Sequence, residues 1–325
     1  MPHPAEVVWP DRADQGCRGL AEAGWCEWSR NAAPHPAGGG YLGGVRIHVV
    51  PQTQGALTPR ADQLADGARA LGALAAEVLG VLATEVPVDP PADPSDPSAD
   101  SAKVDGIANR AALVRNRAGQ LAALEAPEAK VLTIGGDCAV ELAPIGVARF
   151  RHGAGLGVAY FDAHPDLNTA ETSPSGAYHG MVLRSLFGEG DPEFAASPVL
   201  EPGRAVLVGT RSIDPAEQEA IDRGLATLAP AAGLPARLRE SGAESVYLHL
   251  DLDVLDPAEF DGLNYPEPDG LSVPELVDAI RSLGEFEVVG AAITECVTAD
   301  RDELRKLVPV LEAIGEVLVR PSAPR

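Results

Sequence analysis

Several kinds of residue are scarce in this sequence, and each scarcity excludes a class of protein. The 325 residues include four cysteines at no zinc-finger spacing, so a disulfide framework is not expected. No run of about 18 or more apolar residues occurs, which argues against a membrane-spanning helix. Basic residues number 25 against 48 acidic ones, for a formal charge of −23, so neither nucleic acid nor an anionic membrane is an expected partner.

The remaining composition is that of a soluble globular protein. Apolar residues make up 45% of the chain, which is ample for a buried core. The N-terminus MPHPAEVVWPDRADQG lacks the basic region and apolar segment of a signal peptide, so we expect a cytoplasmic protein. Residues 1–44 show no sustained periodicity and predict a flexible N-terminal extension, followed by one folded domain over residues 45–325.

Strand-like and helix-like segments alternate along that domain. Apolar stretches VRIHVVP, KVLTIG, GLGVAYFDA, RAVLVGT, SVYLHLDLDV and VVGAAITE predict strands. Helical spacing is found from Pro59 to about Thr84 and near 138–149, 215–224, 272–284 and 301–319, whereas the proline-rich VPVDPPADPSDPSADS predicts an exposed loop. The alternation predicts an α/β fold with a mostly parallel sheet covered by helices on both faces, and ligands bind such sheets at the carboxyl ends of the strands.

The stretch YFDAHPDLN places three potential metal ligands after one of these strands. Asp162, His164 and Asp166 alternate, so their side chains converge if the backbone leaves the sheet extended. Such groups desolvate or repel one another at the end of a buried strand unless a cation lies between them. An ordinary polar loop remains an alternative interpretation of this stretch taken alone.

A second stretch, YLHLDLDVLDP, has the same character. Asp251 and Asp253 lie on one face of another strand, with His249 before them and Asp256 after. An oxygen-rich set with imidazole favours a hard ion such as Mn²⁺ or Mg²⁺ over a thiolate zinc site. In SPSGAYHGMVLR, His179 is flanked by glycines, and a histidine beside a metal-activated water has a pKa suited to moving protons.

The four motifs GGDC, DAHPD, SGAYHG and DLDVLDP, in this order, resemble the signature of the arginase/agmatinase family of ureohydrolases. The resemblance extends from about Val45 to the C-terminus. It implies a three-layer α/β/α sandwich that holds two divalent cations, with Mn²⁺ the expected ion, and hydrolyses a guanidino C–N bond to release urea and an amine. It also implies a homo-oligomer, since family members are commonly trimers or hexamers.

The resemblance also implies a role for each matching residue. Asp162 and Asp251 would bridge both metal ions, Asp166 would bind the first, and His164 and Asp253 the second. His179 would relay protons to the leaving amine, and Glu295 in AAITEC would pair with the guanidinium. Asp256 would support the site without binding metal.

Further residues match contacts to the other end of an arginine-like substrate. Asn168, Ser173 and Ser175 in LNTAETSPSG resemble contacts to an α-carboxylate, and Asp214 in GTRSIDPAE resembles the contact to an α-amino group. An amino-acid substrate is therefore expected, because agmatine would leave the carboxylate-binding donors unpaired. The alternative is that these residues only cap turns and helices, as Asp214-Pro215 at a helix start would.

Cys138 departs from the family pattern, in which the residue after GGD is usually a histidine ligand. Cys138 would bind metal as a thiolate, which admits Fe²⁺, Zn²⁺ or Co²⁺ beside Mn²⁺. The alternatives are a buried cysteine that does not bind metal, with one site weakly occupied, and a degenerate, inactive protein. A cysteine here also resembles ureohydrolases that cleave Nω-hydroxy-L-arginine to hydroxyurea and ornithine.

Other functions remain open at this stage. An agmatinase or guanidinobutyrase would use the same chemistry on a different substrate, and the loop DGLNYPEPDGLS, with Tyr265 at its centre, differs from that of arginases. A catalytically impaired metal-binding scaffold is the non-enzyme alternative. A mononuclear metal amidohydrolase would need only one metal ion and no pairing glutamate.

Overall fold

The computed structural model describes residues 44–90, 103–125 and 129–319, which form one continuous eight-stranded sheet with flanking helices. All seven strand pairings are parallel, and the strand order is 2-1-3-8-7-4-5-6. The strands are β1 (Val45–Val50), β2 (Ala83–Glu85), β3 (Lys130–Gly135), β4 (Leu156–Phe161), β5 (Ala205–Val208), β6 (Ala226–Ala229), β7 (Ser245–Asp251) and β8 (Glu287–Thr294).

Helices connect successive strands, as parallel pairing requires. The α-helices in the described residues are α1 (Leu64–Leu79), α2 (Arg110–Ala123), α3 (Leu142–His152), α4 (Val182–Leu186), α5 (Pro215–Asp222), α6 (Leu234–Glu240), α7 (Val273–Ser282), α8 (Arg301–Leu304) and α9 (Val308–Val319). None of the helices described is long and apolar enough to cross a bilayer.

The helix starts follow from local sequence. Ser272 begins α7 with a capping box, in which its hydroxyl accepts from the Glu275 backbone N–H and the Glu275 carboxylate accepts from that of Ser272. Asp214 and Glu217 begin α5 in a similar way, with Pro215 in the first turn. The end of α1 also follows from local sequence, because Gly80 after the helix adopts φ +64°, which glycine tolerates without strain.

The core consists of two apolar layers, one on each face of the sheet. One layer packs α1, α6, α7 and α9 against residues such as Ile47, Phe161 and Leu250. The other packs α2 to α5 against residues such as Tyr160 and Leu207. Tyr160 and Phe161 are adjacent in β4 and face opposite layers, as the pleat dictates. The predicted three-layer α/β/α architecture with a parallel sheet is therefore confirmed.

Most predicted elements are found, with some differences. All six predicted strands form. The exposed strand β2 and the partly exposed strand β6 were not predicted, because both are short. The helix predicted from Pro59 to Thr84 ends at Leu79, and residues 83–85 form β2. The predicted extension over residues 1–44 lies almost wholly outside the described residues, as does most of the proline-rich loop, so both stay predictions.

Candidate metal centre

Four adjacent strands at the middle of the sheet, β3, β8, β7 and β4, bring the candidate ligands together at their carboxyl ends. Cys138 follows β3, Asp162 follows β4, Asp251 ends β7 and Glu295 follows β8. The chain passes from β3 to β4 across the two intervening strands, which leaves a crevice where ligands bind in sheets of this kind. The candidate residues are thus far apart in sequence and adjacent in space.

One group of donor atoms lies between β3, β4 and β7. It comprises Cys138, Asp162, Asp166 and His249, whose donor atoms all lie within 4.8 Å of one another and whose side chains are buried. The predicted ligands Cys138, Asp162 and Asp166 therefore come together. His249 joins them, although no role was predicted for it.

Two further groups adjoin the first. Asp162, His164 and Asp253 form one, with His164 Nδ1 2.9 Å from Asp253 Oδ2 and 3.6 Å from Asp162 Oδ1. Asp251 forms the other with Cys138 and Glu295, and Asp251 Oδ2 accepts from the Cys138 thiol at 3.1 Å. Asp162 and Cys138 each belong to two groups, so the three groups constitute one extended donor cluster.

The electrostatics of this cluster indicate a place for positive charge. Burial, reinforced by repulsion from Asp253 and Asp162, raises the pKa of Asp251 well above its usual value. Burial and Asp162 do the same to the pKa of Asp166. A cation among these carboxylates would relieve both the desolvation and the repulsion.

The pKa of His164 shows how strongly these carboxylates favour positive charge. Burial lowers its pKa, but the carboxylates of Asp162 and Asp253 outweigh burial and raise the pKa to about 12. Two carboxylates thus stabilise positive charge at this position. A metal ion would take the place of the imidazole proton, because ligand histidines bind in the neutral form.

The residues fit the divalent cations that the resemblance implies. The buried oxygen Oδ2 of Asp162 has no hydrogen-bond partner among the described residues, although such an oxygen seldom remains unpaired. The donors are carboxylate oxygens, two imidazoles and one thiol. Burial and Asp251 raise the pKa of Cys138 well above its usual range. Cys138 would therefore bind a metal ion only as a thiolate, with the ion displacing the thiol proton.

The loop that carries Cys138 is held by the preceding aspartate. The Asp137 carboxylate is completely buried and accepts from Gln52 Nε2 at 3.0 Å, from Gly55 N at 2.8 Å and from Ala139 N at 2.9 Å. Glycine is needed at position 136, because a Cβ there would lie 1.8 Å from the Gln52 carbonyl oxygen. The loops after β1 and β3 are thereby locked together, which fixes the position of Cys138.

This arrangement predicts a stability effect at Asp137. Asp137→Asn is expected to lower the free energy of unfolding by about 2–3 kcal/mol, because an amide NH₂ would face backbone N–H donors and leave one unsatisfied. The surface replacement Asp278→Asn in α7 is the control and should change it by less than about 0.5 kcal/mol. Urea denaturation of the metal-free chains measures both, and equal midpoints would contradict the role of Asp137.

The predicted catalytic pair forms a hydrogen-bonded unit beside the donor cluster. His179 Nδ1 lies 3.0 Å from Glu295 Oε1, and Glu295 Oε2 accepts from Asn264 Nδ2 at 2.6 Å. Burial lowers the pKa of His179, but Glu295 outweighs burial and raises the pKa to about 9. Glu295 adopts φ +66° and Asp166 φ +52°, a strained conformation that is often found at functional sites.

A cavity of about 290 Å³ opens over the donor cluster. Tyr265 forms part of its wall, with its ring centroid 5.5 Å from that of His179 and 5.9 Å from that of His164. Neither lysine nor arginine is among the lining residues, which are His164, Asp166, Asn168, His179, Gly180, Ser212, Asp214, Glu217, Asp251, Asp253, Tyr265 and Glu267. The cavity therefore suits a positively charged ligand.

The predicted substrate-binding residues divide into two pairs. Asn168 and Asp214 line the cavity and are joined by a hydrogen bond of 3.2 Å from Asn168 Nδ2 to Asp214 Oδ2. Ser173 and Ser175 do not line it, and their hydroxyls accept from the backbone N–H groups of Gly176 and Ala177 in a turn. The interpretation of the serines as turn-capping residues accounts for these bonds, and a role in substrate binding stays a prediction.

Some residues of the site were not predicted from the sequence. His249 alternates with Asp251 and Asp253 in YLHLDLD, a signal that could have added it to the ligand set. Asn264 and Glu267, in contrast, belong to an irregular loop with no periodicity to place them. Asp256 is half-buried and accepts from Ala258 N and Gly270 N, which supports the loop after β7.

Comparison with known proteins places these features in a family. The model of the arginase family matches residues 79–303. The chain is 35% identical over 199 residues to an arginase of Bacillus caldovelox, covering 56% of this chain and 66% of that protein. It is 31% identical over 177 residues to an N(omega)-hydroxy-L-arginine amidinohydrolase of Streptomyces lavendulae, covering 54% and 63%. The aligned segments thus span less than two thirds of either relative.

Solved structures match over a longer part of the chain. The native structure of Bacillus caldovelox arginase superposes with a TM-score of 0.70 at 25% identity and covers 85% of this chain and 98% of its own. A proclavaminate amidino hydrolase of Streptomyces clavuligerus has the same fold, with a TM-score of 0.63 at 21% identity, covering 85% and 90%. With the family model matching well over half of its residues, this chain belongs to the arginase family.

Proposed function

We propose that the chain is a metal-dependent hydrolase that cleaves a guanidino C–N bond of an arginine-like amino acid. One observation carries this proposal: a buried cluster of carboxylates, imidazoles and a thiol lies at the floor of an acidic cavity, next to the His179–Glu295 pair. A protein without catalytic activity has no physical need to keep such a cluster, because burying unpaired charge is costly. Membership of the arginase family supports the same reaction class.

The residues that would hold two divalent cations are Cys138, Asp162, His164, Asp166, Asp251 and Asp253. Cations bound there would make water a nucleophile near neutral pH and offset the negative charge of the transition state. We expect Mn²⁺, since most donors are oxygens, although the Cys138 sulfur also suits Fe²⁺, Zn²⁺ or Co²⁺.

In this proposal His179 supplies the proton that the leaving amine requires. Its Nδ1 is engaged by Glu295, so Nε2 is the ring nitrogen that can present a proton to the cavity. The neighbouring Glu295 carboxylate raises the pKa of His179 to about 9 in the metal-free chain, which favours the protonated imidazole. The Glu295 carboxylate orients the ring and, through its remaining lone pairs, would attract the guanidinium. Asn264 and the Cys138 N–H hold that carboxylate in place.

The distal end of the substrate would meet Asn168, Ser212, Asp214 and Glu267. Asp214 and Glu267 attract a cationic amine, while the Asn168 amide and the Ser212 hydroxyl can donate to a carboxylate. This pattern favours an amino acid. 4-Guanidinobutyrate has a carboxylate for the Asn168 and Ser212 donors but no amine for Asp214 and Glu267. Agmatine has an amine for the two acids but no carboxylate for the donors.

Nω-Hydroxy-L-arginine is the second candidate substrate. The observation that favours it is Cys138, whose sulfur changes the donor set on one side of the cluster. The relative from Streptomyces lavendulae, which is named for hydrolysis of that compound, points the same way.

A substrate panel tests the proposal. The chain reconstituted with Mn²⁺ is expected to hydrolyse L-arginine or Nω-hydroxy-L-arginine with a kcat/KM at least about 100-fold above those for agmatine and 4-guanidinobutyrate. Urea or hydroxyurea release provides the readout, with bound metal counted on the same sample. The same chain stripped with a chelator is the control and should be inactive until metal is restored.

The possible outcomes separate the candidate functions. A higher kcat/KM for L-arginine than for its hydroxylated form would remove support for the second candidate. Preference for agmatine would indicate that Asp214 and Glu267 bind the amine of a substrate that has no carboxylate. Two bound metal ions without turnover of any guanidino compound would overturn the proposal and favour the scaffold. One ion with turnover of another amide would favour a mononuclear amidohydrolase.

A further inference from the structure

The completely buried residue His249 has contacts that the family motifs do not account for. Its side chain ends among the donor atoms on one side and faces the carboxylate of Glu141 on the other. Both residues are 0% exposed, so neither can satisfy its polar atoms with bulk water. Two such groups inside a protein require either partners or a ligand.

The spacing around Nε2 of His249 is that of atoms sharing a cation. Nε2 lies 3.6 Å from Asp162 Oδ2 and 4.0 Å from Cys138 Sγ, and Asp162 Oδ2 has no hydrogen-bond partner among the residues described. These separations are too long for good hydrogen bonds. They match the distances of about 3–4 Å between ligands whose bonds to one metal ion are about 2.0–2.3 Å.

The other ring nitrogen is placed to be oriented by a carboxylate. Nδ1 of His249 lies 3.5 Å from Glu141 Oε2, and within the described part of the chain neither this nitrogen nor either Glu141 oxygen has a hydrogen-bond partner. A histidine that binds metal through one nitrogen commonly presents its other N–H to a carboxylate, which fixes the tautomer and raises ligand basicity. Glu141 would then be a positioning residue.

Tyr160 holds the ring and a neighbouring ligand together. Its ring stacks on His249 with centroids 3.9 Å apart and planes 24° apart, and its hydroxyl donates to Asp166 Oδ2 at 2.6 Å. One buried tyrosine therefore fixes two members of the same donor group. Such support indicates a built site, because an imidazole that only filled space would not need an aromatic ring stacked on one face and a carboxylate beside each nitrogen.

We propose that His249 binds the metal ion shared by Cys138, Asp162 and Asp166 through Nε2, and that Glu141 orients it through Nδ1–H. The ion would then have one nitrogen, one sulfur and carboxylate oxygens as protein ligands. This inference rests on the proposed function only in requiring that the chain bind divalent cations. It makes β7 the source of an imidazole ligand as well as of the Asp251 carboxylate.

The test uses the full chain loaded with Co²⁺, with histidine isotopically labelled in the ring. A metal-bound imidazole gives hyperfine-shifted proton NMR signals, and the buried N–H of His249 should exchange slowly with solvent. We expect one slowly exchanging, hyperfine-shifted N–H signal in the wild-type chain. His249→Gln should abolish that signal and weaken binding of one of two Co²⁺ ions at least about 100-fold, with the other ion retained.

Two further variants sharpen the assignment. Glu141→Gln is expected to shift the N–H signal and to weaken the binding of the same Co²⁺ ion by about 10–100-fold. His48→Gln, which replaces a buried histidine of β1 outside the three donor groups, is the matched control and should change neither the signal nor the affinity. An N–H signal unaffected by Glu141→Gln would overturn the role of Glu141.

The outcomes separate this inference from the proposed function. Two Co²⁺ ions bound by the wild-type chain without a slowly exchanging shifted N–H would overturn the inference and leave the hydrolase proposal standing. So would unchanged affinity for both ions in His249→Gln. The wild-type spectrum decides the question even if His249→Gln fails to fold. A wild-type chain that binds no divalent cation would overturn both proposals.

Discussion

Asp251→Asn is expected to abolish hydrolysis while leaving the metal-free protein folded and at least as stable as the wild type. Asp251 accepts from the Cys138 thiol at 3.1 Å and from the Asp253 backbone N–H at 2.8 Å, and it shares a donor group with Cys138 and Glu295. An amide cannot supply the negative charge that holds two cations, so we expect at least one metal ion to be lost and activity to fall by about 10³-fold or more. In the metal-free chain the same change removes a carboxylate that burial and repulsion make unfavourable.

The pH dependence of this stability difference has a definite sign. The folded-state pKa of Asp251 is raised above its unfolded value. Well below the usual carboxyl pKa this shift does not change the free energy of unfolding of the wild type, but above that pKa it lowers it increasingly as pH rises. The metal-free variant should therefore match the wild type in acid and become the more stable chain as pH rises. Thermal unfolding at several pH values measures this, alongside the metal content.

A matched control is available in the neighbouring loop. Asp261 is exposed and lies outside the donor groups, so Asp261→Asn should keep the metal content, activity and pH profile of the wild type. Full activity and two bound ions in Asp251→Asn would contradict the predicted role of Asp251. A variant that lost metal and also lost stability would indicate that Asp251 acts mainly in folding.

His179→Asn is expected to lower kcat by about 10²–10⁴-fold with metal content and KM nearly unchanged. The side chain lines the cavity but belongs to none of the three donor groups, so its loss should leave metal binding intact. Because the role proposed for His179 is proton donation in the transition state, the loss should fall on kcat. The retained Asn264–Glu295 bond should keep Glu295 in place.

The pH profile distinguishes proton donation from a structural role. Glu295 raises the pKa of His179, to about 9 in the metal-free chain, so the proton-bearing form is present at lower pH and is lost as pH rises through the pKa. The wild-type kcat should fall at alkaline pH, and the kcat of His179→Asn should show no such fall. His152→Asn, at the end of α3 and away from the cavity, serves as the control. A loss of metal in His179→Asn would contradict this assignment.

Most of the predicted metal ligands share one property. They alternate along the chain at the carboxyl end of a strand, as in Asp162–His164–Asp166 and Asp251–Asp253, whereas Cys138, His179 and Glu295 were assigned by the family resemblance. The period of two and the sheet edge together restrict where these side chains can lie. The residues therefore predicted a carboxylate-rich site at this edge, and the family resemblance implied the ligand roles and the reaction class. The structure brings all six predicted ligands into contiguous groups.

The parts that were missed depend on contacts between distant segments. Short strands such as β2 carry too little periodicity to be recognised, and they form because β1 offers a parallel edge. Asn264 reaches Glu295 across 31 residues, and Glu141 reaches His249 across 108. No local pattern encodes such pairs, since they arise from the order in which strands enter the sheet.

The sequence by itself determined the α/β architecture and predicted a carboxylate-rich metal site, because hydrophobic periodicity and clustered acids are local signals with few physical explanations. It left open whether Cys138 binds metal. Only the tertiary structure decided that the imidazole of His249 lies in the same donor group as that thiol, with Glu141 behind it. The reason is that β3, β4 and β7 are separated by long stretches of chain, and their ends meet only when the parallel sheet has formed.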